Sequence, residues 1–148
     1  MIRIRNKEIV IFEGETLDLV YSQLQEPYWL IVSNDPMYKN FGFSKEASVY
    51  VKKLKVNKYY DYNAFRISTY CNYKGDLYYL ENIKNETVIL SPEIKTKQKL
   101  GIHIYDDRRI ELSYEKFINE VEEIWEERSA IEGFRFEVEP IFFIKKTE

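Results

Sequence analysis

The chain has 148 residues, 45% apolar and 32% charged, which fits one ordinary domain or two very small ones and excludes extended disorder. Its net charge of −3 opposes non-specific nucleic-acid binding, which needs a strongly basic face. Cys71, the single cysteine, excludes an internal disulfide and suits a reducing compartment.

The first residues, Met1-Ile-Arg-Ile-Arg-Asn-Lys7, form no secretory signal. No stretch approaches the roughly 20 apolar residues of a membrane span. A soluble cytoplasmic protein with no membrane partner is expected. Thirteen tyrosines and nine phenylalanines favour strands, because flat rings pack well on a pleated surface.

In chain order, Glu8–Phe12 and Thr16–Ser22 read as two strands about Gly14, which tolerates the positive φ of a tight turn. Residues 23–27 form a polar turn before Tyr28–Ser33, a buried strand. Asn34-Asp35-Pro36 is a turn signal. Phe41-Gly42-Phe43 leads into a strand over Ala47–Val56.

The second half repeats this grammar. Tyr73-Lys-Gly75 resembles Phe12-Glu-Gly14, Thr87–Ser91 resembles Leu30–Ser33, and Leu100-Gly101-Ile102 resembles Phe41-Gly42-Phe43. Val121–Trp125 resembles Val56–Tyr60, so four matches occur in order at offsets of 58 to 65 residues. Between Ser113 and Arg128 the apolar residues fall at helical spacing, while Ile110–Tyr114 alternates like a strand. We expect a strand to Phe117, a helical turn through Ile124 and a strand through Ile131, with one continuous helix as the alternative. In the tail, Phe134, Phe136 and Val138 alternate with charged residues as a strand with one buried face. Pro140 belongs at an edge or bulge, and Lys145–Glu148 is expected to fray.

These elements predict a mainly β fold: two degenerate tandem copies of a small SH3-like β-barrel unit with short helical turns, residues 1–66 and 67–148. The alternative is an α+β fold with one helix near 113–128 on an antiparallel sheet. The two copies can equally pack as one globular domain.

Catalytic motifs are absent. His103, the only histidine, alternates with apolar residues on an expected strand and reads as a core or rim residue with one hydrogen bond. Cys71 has no local feature that would lower its pKa. One histidine and one cysteine are too few for a metal site built on them. Phosphate-cradling glycine loops are missing. No catalytic residue, metal or cofactor is expected, and the chain reads as a non-enzyme.

Charge is uneven instead. Residues 115–139 hold nine acids against three bases, leaving the remainder of the chain net positive. The sharper reading is an acidic patch steering a basic partner, made of Glu120, Glu122, Glu123, Glu126, Glu127 and Glu132, with Trp125 as an aromatic anchor if exposed. A second reading places single-stranded nucleic acid on residues 39–60, where Lys39, Lys45, Lys52, Lys53, Lys55 and Lys58 mix with Tyr50, Tyr59 and Tyr60.

The pattern Tyr114-Glu-Lys-Phe…Val121-Glu-Glu-Ile-Trp-Glu-Glu-Arg128, followed by Ile131-Glu-Gly-Phe134, resembles the small immunity proteins encoded beside bacterial polymorphic and contact-dependent toxins. Tyr50-Val-Lys-Lys…Tyr59-Tyr60, running into Thr69–Gly75, is similar in the first copy. The resemblance covers residues 45–135 and departs from the family in lacking a proline before Val121. It implies a cytoplasmic, non-catalytic protein that binds and blocks the C-terminal domain of one cognate protein toxin. It carries no contact residues with it. The acidic patch would suit a basic toxin such as a nuclease.

Overall fold

The structure, a computed structural model, describes residues 1–23 and 26–147. Part of the polar turn expected at 23–27 therefore lies outside the described residues, as does Glu148. The elements in chain order are β1 (Lys7–Phe12), β2 (Glu15–Ser22), β3 (Tyr28–Ser33), a 3-10 helix (Pro36–Phe41), β4 (Ser44–Glu46), β5 (Val49–Lys55) and β6 (Tyr60–Tyr73). There follow β7 (Asp76–Lys84), β8 (Thr87–Pro92), α1 (Ile94–Leu100), β9 (Ile110–Ser113), α2 (Tyr114–Glu120), β10 (Val121–Ala130), β11 (Phe134–Arg135) and β12 (Ile141–Lys145). The fold is mainly β, an open sheet whose pairings are antiparallel except for the short parallel contact of β11 with β6.

The chain divides into two compact units, residues 7–66 with 129–138, and residues 1–6 with 67–128 and 139–148. In the first, the strand order is β4-β5-β3-β2-β1-β6. Glu13 and Gly14 both take positive φ in the β1–β2 turn, at 49° and 78°, as a tight hairpin requires. The Asp35 carboxylate accepts from the Met37 amide and opens the 3-10 helix with Pro36 behind it. Phe12, Leu19, Trp29, Ile31, Phe43 and Leu54 are among the side chains that fill the core. Phe12 meets Phe43 edge-on at 5.2 Å, and burying such a ring stabilises by about 1.5–3 kcal/mol.

In the second unit β6 is followed by β7, β8 and β9, while β10 pairs with β6 and β12 pairs with β10. Lys74 and Gly75 repeat the positive φ pair of the first hairpin, at 52° and 80°. Cys71, Leu80, Val88, Leu90, Phe117 and Ile124 are fully buried in its core. Asn6 ties the N-terminal segment down: its amide donates to the Leu80 carbonyl at 3.0 Å and accepts from the Thr69 N–H at 2.6 Å.

Three local expectations need correction. The strand expected to reach Phe117 stops at Ser113, whose hydroxyl accepts from the Lys116 amide and caps α2. A helix then carries Phe117 into the core, and the strand resumes at Val121, so neither expected form of 113–128 holds in full. The tail is two strands, not one, with Phe134–Arg135 and Ile141–Lys145 separated at Pro140. Lys145 is anchored, not frayed, because its ammonium donates to the Ile118 and Val121 carbonyls at 3.2 and 2.8 Å.

Candidate partner-binding site

The site forms on β10, where five charged residues crowd an amphipathic strand. Strict alternation would put Glu122, Ile124 and Glu126 on one face. Ile124 and Glu126 keep that face, because the register shift between Ile124 and Trp125 puts its extra residue, Ile144, in β12 and leaves β10 regular. Val121, Ile124 and Glu126 are buried, Glu122 and Glu127 are exposed, and Glu123 and Trp125 are half-buried.

Glu123, Trp125 and Glu127 line one shallow groove with Asn72 of β6 and with Ile141 and Phe143 of β12. The Trp125 ring lies 6.3 Å from Tyr70, nearly parallel at 26°, and 6.3 Å from Phe143. Its indole N–H donates to Glu127 Oε2 at 3.2 Å, which fixes the ring with one edge toward solvent. Glu93 adds to the field. Burial raises its carboxyl above the ordinary carboxylate range, and the negative charge of Glu127 raises it further. The Tyr70 hydroxyl is raised first by burial, then by Glu93 and Glu127. An aromatic seat ringed by acids attracts a cation, because ring faces and carboxylates both favour positive charge.

The structure thus gathers three of the seven acidic-patch residues. Glu120 and Glu122 serve the β6–β7 hairpin: Glu120 accepts from the Tyr73 hydroxyl at 2.5 Å, and Glu122 accepts from the Gly75 amide at 3.0 Å. Glu126 must be withdrawn as a contact. It is 3% exposed and bound by two arginines, Arg5 through both oxygens at 3.0 Å and Arg128 at 2.9 Å. Glu132 lies in the other unit, beside a cavity of about 660 Å³ lined by Tyr21, Trp29, Tyr59 and Arg66 among others.

Sequence reasoning missed Glu93, Tyr70, Phe143 and Ile141. The apolar run Ile141–Ile144 after Pro140 was a usable signal for an edge strand next to the acids. Nothing local marks Glu93, the residue before α1, whose amide donates to the Leu77 carbonyl and whose charge acts on Tyr70.

The other candidates fall out differently. Tyr50 is 9% exposed within the core, and the Tyr60 hydroxyl accepts from the Lys55 amide while its ring stacks near Tyr62 and Phe134. Only Tyr59 of the three tyrosines stands open, at 67%. The Lys52 ammonium donates to the Phe41 carbonyl, and that of Lys53 lies 4.2 Å from the Tyr28 ring centre. His103 sits exposed in the loop after α1, not on a strand, and its Nδ1 accepts from the Tyr105 amide. Burial, helped by the charge of Glu122, pushes the Cys71 thiol up to about 12, which suppresses the nucleophilic thiolate. Among the described residues no cluster of His, Cys, Asp and Glu is arranged to hold a metal ion, and no helix is long and apolar enough to cross a membrane.

No protein-family profile, curated protein or solved structure matches the chain.

Proposed function

We propose that this chain is an immunity protein that neutralises a cognate bacterial toxin by seating a lysine or arginine of the toxin in the Trp125 groove. The observation that carries the reading is the half-buried Trp125, packed near Tyr70 and Phe143 and flanked in its groove by Glu123 and Glu127. Aromatic anchors in desolvated pockets dominate interface energies, and surrounding acids accelerate encounter with a basic surface. A nuclease, whose active site must attract a polyanion, offers such a surface. Glu120 and Glu122 add to the field without forming the seat. The burial of Tyr50, and the partial burial of Tyr60 with its hydroxyl held by the Lys55 amide, weigh against stacking of nucleic-acid bases on residues 39–60.

We also read the fold as two degenerate copies of one small SH3-like unit. Strand order β5-β3-β2-β1-β6 in one unit parallels β9-β8-β7-β6-β10 in the other. Gly14 and Gly75 close equivalent hairpins, and Gly42 and Gly101 both end a short helix in the left-handed conformation. β6 closes one copy and opens the next, which is why the repeat is hard to cut.

The test is affinity for the C-terminal domain of the toxin encoded beside this gene. The Glu123→Lys/Glu127→Lys variant is expected to bind about 100-fold more weakly or worse, equivalent to about 2.7 kcal/mol. Its melting temperature should stay near that of the parent, since neither carboxylate is buried. Unchanged affinity would remove the groove from the interface.

A further inference from the structure

β12 has a sequence and an edge that fit a second copy of itself. Among the described residues it pairs only with β10, so one side of its backbone is unpaired. Ile141, Phe142 and Phe143 are 51%, 52% and 40% exposed, three consecutive large apolar side chains on an open edge. Proteins usually protect such edges with charge or brevity. β4 follows that rule, with three exposed polar residues, Ser44, Lys45 and Glu46. β12 does not.

The hydrogen-bond pattern says which backbone groups face outward. The Arg128 N–H donates to the Pro140 carbonyl at 2.8 Å, and Glu126 stands opposite Phe142. Hydrogen-bonded pairs alternate along an antiparallel ladder, so Phe142 points its N–H and C=O at β10. Ile141 and Phe143, in the intervening pairs, point theirs away from it. A two-fold antiparallel pairing through this edge must place Ile141 and Phe143 in hydrogen-bonded pairs. Of the registers that satisfy that condition, centring on Ile141 sets Phe143 opposite Glu139, and centring on Phe143 sets Ile141 opposite Lys145 and Pro140 opposite Lys146. Centring on Phe142 sets Ile141 opposite Phe143 twice and Phe142 opposite its copy, and brings Glu139 to the end of the strand that carries Lys146; the Lys145 ammonium is already held by its own chain. The Phe142-centred register matches the apolar residues and leaves Lys146 to answer Glu139.

We propose that the chain forms a symmetric dimer by antiparallel pairing of β12 with β12 of a second copy, centred on Phe142. The dimer uses the strand edge and sets Ile141 and Phe143, which line the Trp125 groove, beside their counterparts in the second copy. Facing Phe142 rings in a non-hydrogen-bonded pair sit in the closest side-chain position a sheet provides. Lys146, whose ammonium lies 4.9 Å from the Phe143 ring centre, is placed beside the Glu139 end of the other strand.

Sedimentation equilibrium of the full chain tests this, with Phe142→Glu and Phe142→Lys as charge-swap partners. Each variant alone sets like charges opposite each other and should raise the dimer dissociation constant by at least about tenfold. Mixed together they should form a heterodimer detectable by native mass spectrometry, because only the Phe142-centred register puts the two substitutions face to face. Phe142→Glu should melt close to the parent, since the side chain is half-exposed, and Phe142→Lys somewhat lower, because the Arg128 guanidinium lies 5.0 Å from the Phe142 ring centre. A parent chain that stays monomeric into the high micromolar range would overturn the proposal. So would a dimer that persists in both variants, or a mixture that does not associate.

Discussion

Replacing Glu126 with glutamine is expected to destabilise the chain by about 3 kcal/mol, the lower end of the cost of breaking a buried ion pair. The carboxylate is 3% exposed and sits between two guanidinium groups, with Arg5 at 3.0 Å through both oxygens and Arg128 at 2.9 Å. Neutralising it removes the carboxylate charge that both guanidinium groups share. The lower end applies because Arg5 is 36% exposed and water relieves part of the repulsion. The same triad sets a pH dependence. Burial opposes ionisation of Glu126, but the hydrogen bonds and charges of Arg5 and Arg128 outweigh it and hold the carboxyl below the ordinary glutamate range. A carboxyl depressed on folding contributes stability that is present above its unfolded pKa, about 4.3, and lost as pH falls through the folded value. Denaturant melts across that range should show the parent losing this increment and the glutamine variant lacking it. A variant within about 0.5 kcal/mol of the parent at neutral pH would mean the triad is structurally idle.

Gly133→Ala should cost about 2–3 kcal/mol for a different reason. Gly133 has φ of +91°, which disfavours any residue with a Cβ, and a Cβ built there would lie 2.8 Å from the Lys58 carbonyl oxygen. That oxygen is backbone and cannot swing aside. Relief would require moving the strand entry, where the Gly133 carbonyl accepts from the Tyr60 amide at 2.8 Å and Phe134 stacks near Tyr60 and Trp29. Gly14→Ala and Gly75→Ala are the controls. Both glycines have positive φ but nothing within 4 Å of a Cβ, so each should lose only the cost of the left-handed conformation, about 1 kcal/mol. Equal losses at all three sites in thermal melts would show that the close approach at Lys58 is relieved elsewhere.

Hairpins were legible in the sequence because a chemical constraint sits at one position: Gly14 and Gly75 occupy turns with φ near 80°. Asp35-Pro36 was legible for the same reason, since one side chain caps and the other fixes φ. The helix at Tyr114–Glu120 was half-legible. Its stripe and its Ser113 cap were both visible, but the repeat argued for strand, and the local cap won. The acidic patch shows the limit most clearly. Six glutamates and a tryptophan in one stretch looked like one surface, yet alternation along β10 and long-range partners distribute them among a groove, a hairpin staple, a buried triad and the other unit. Glu126 reads as another exposed acid until Arg5 is known to pair with it across 121 residues of chain. Phe143 joins the groove through the pairing of β12 with β10, a long-range property that single-sequence patterning does not encode.

The most direct test of the groove as the partner site is the indole N–H region of a nitrogen-15 NMR spectrum, recorded while the toxin domain encoded beside this gene is added. The chain has two tryptophans, Trp125 on the groove and Trp29 in the core of the other unit, so each resonance reports one place. Binding in the groove should break or reshape the 3.2 Å bond from the Trp125 indole to Glu127 and move that resonance, leaving Trp29 in position. Saturating binding that leaves the Trp125 resonance unmoved would contradict the account and place the contact elsewhere on the chain.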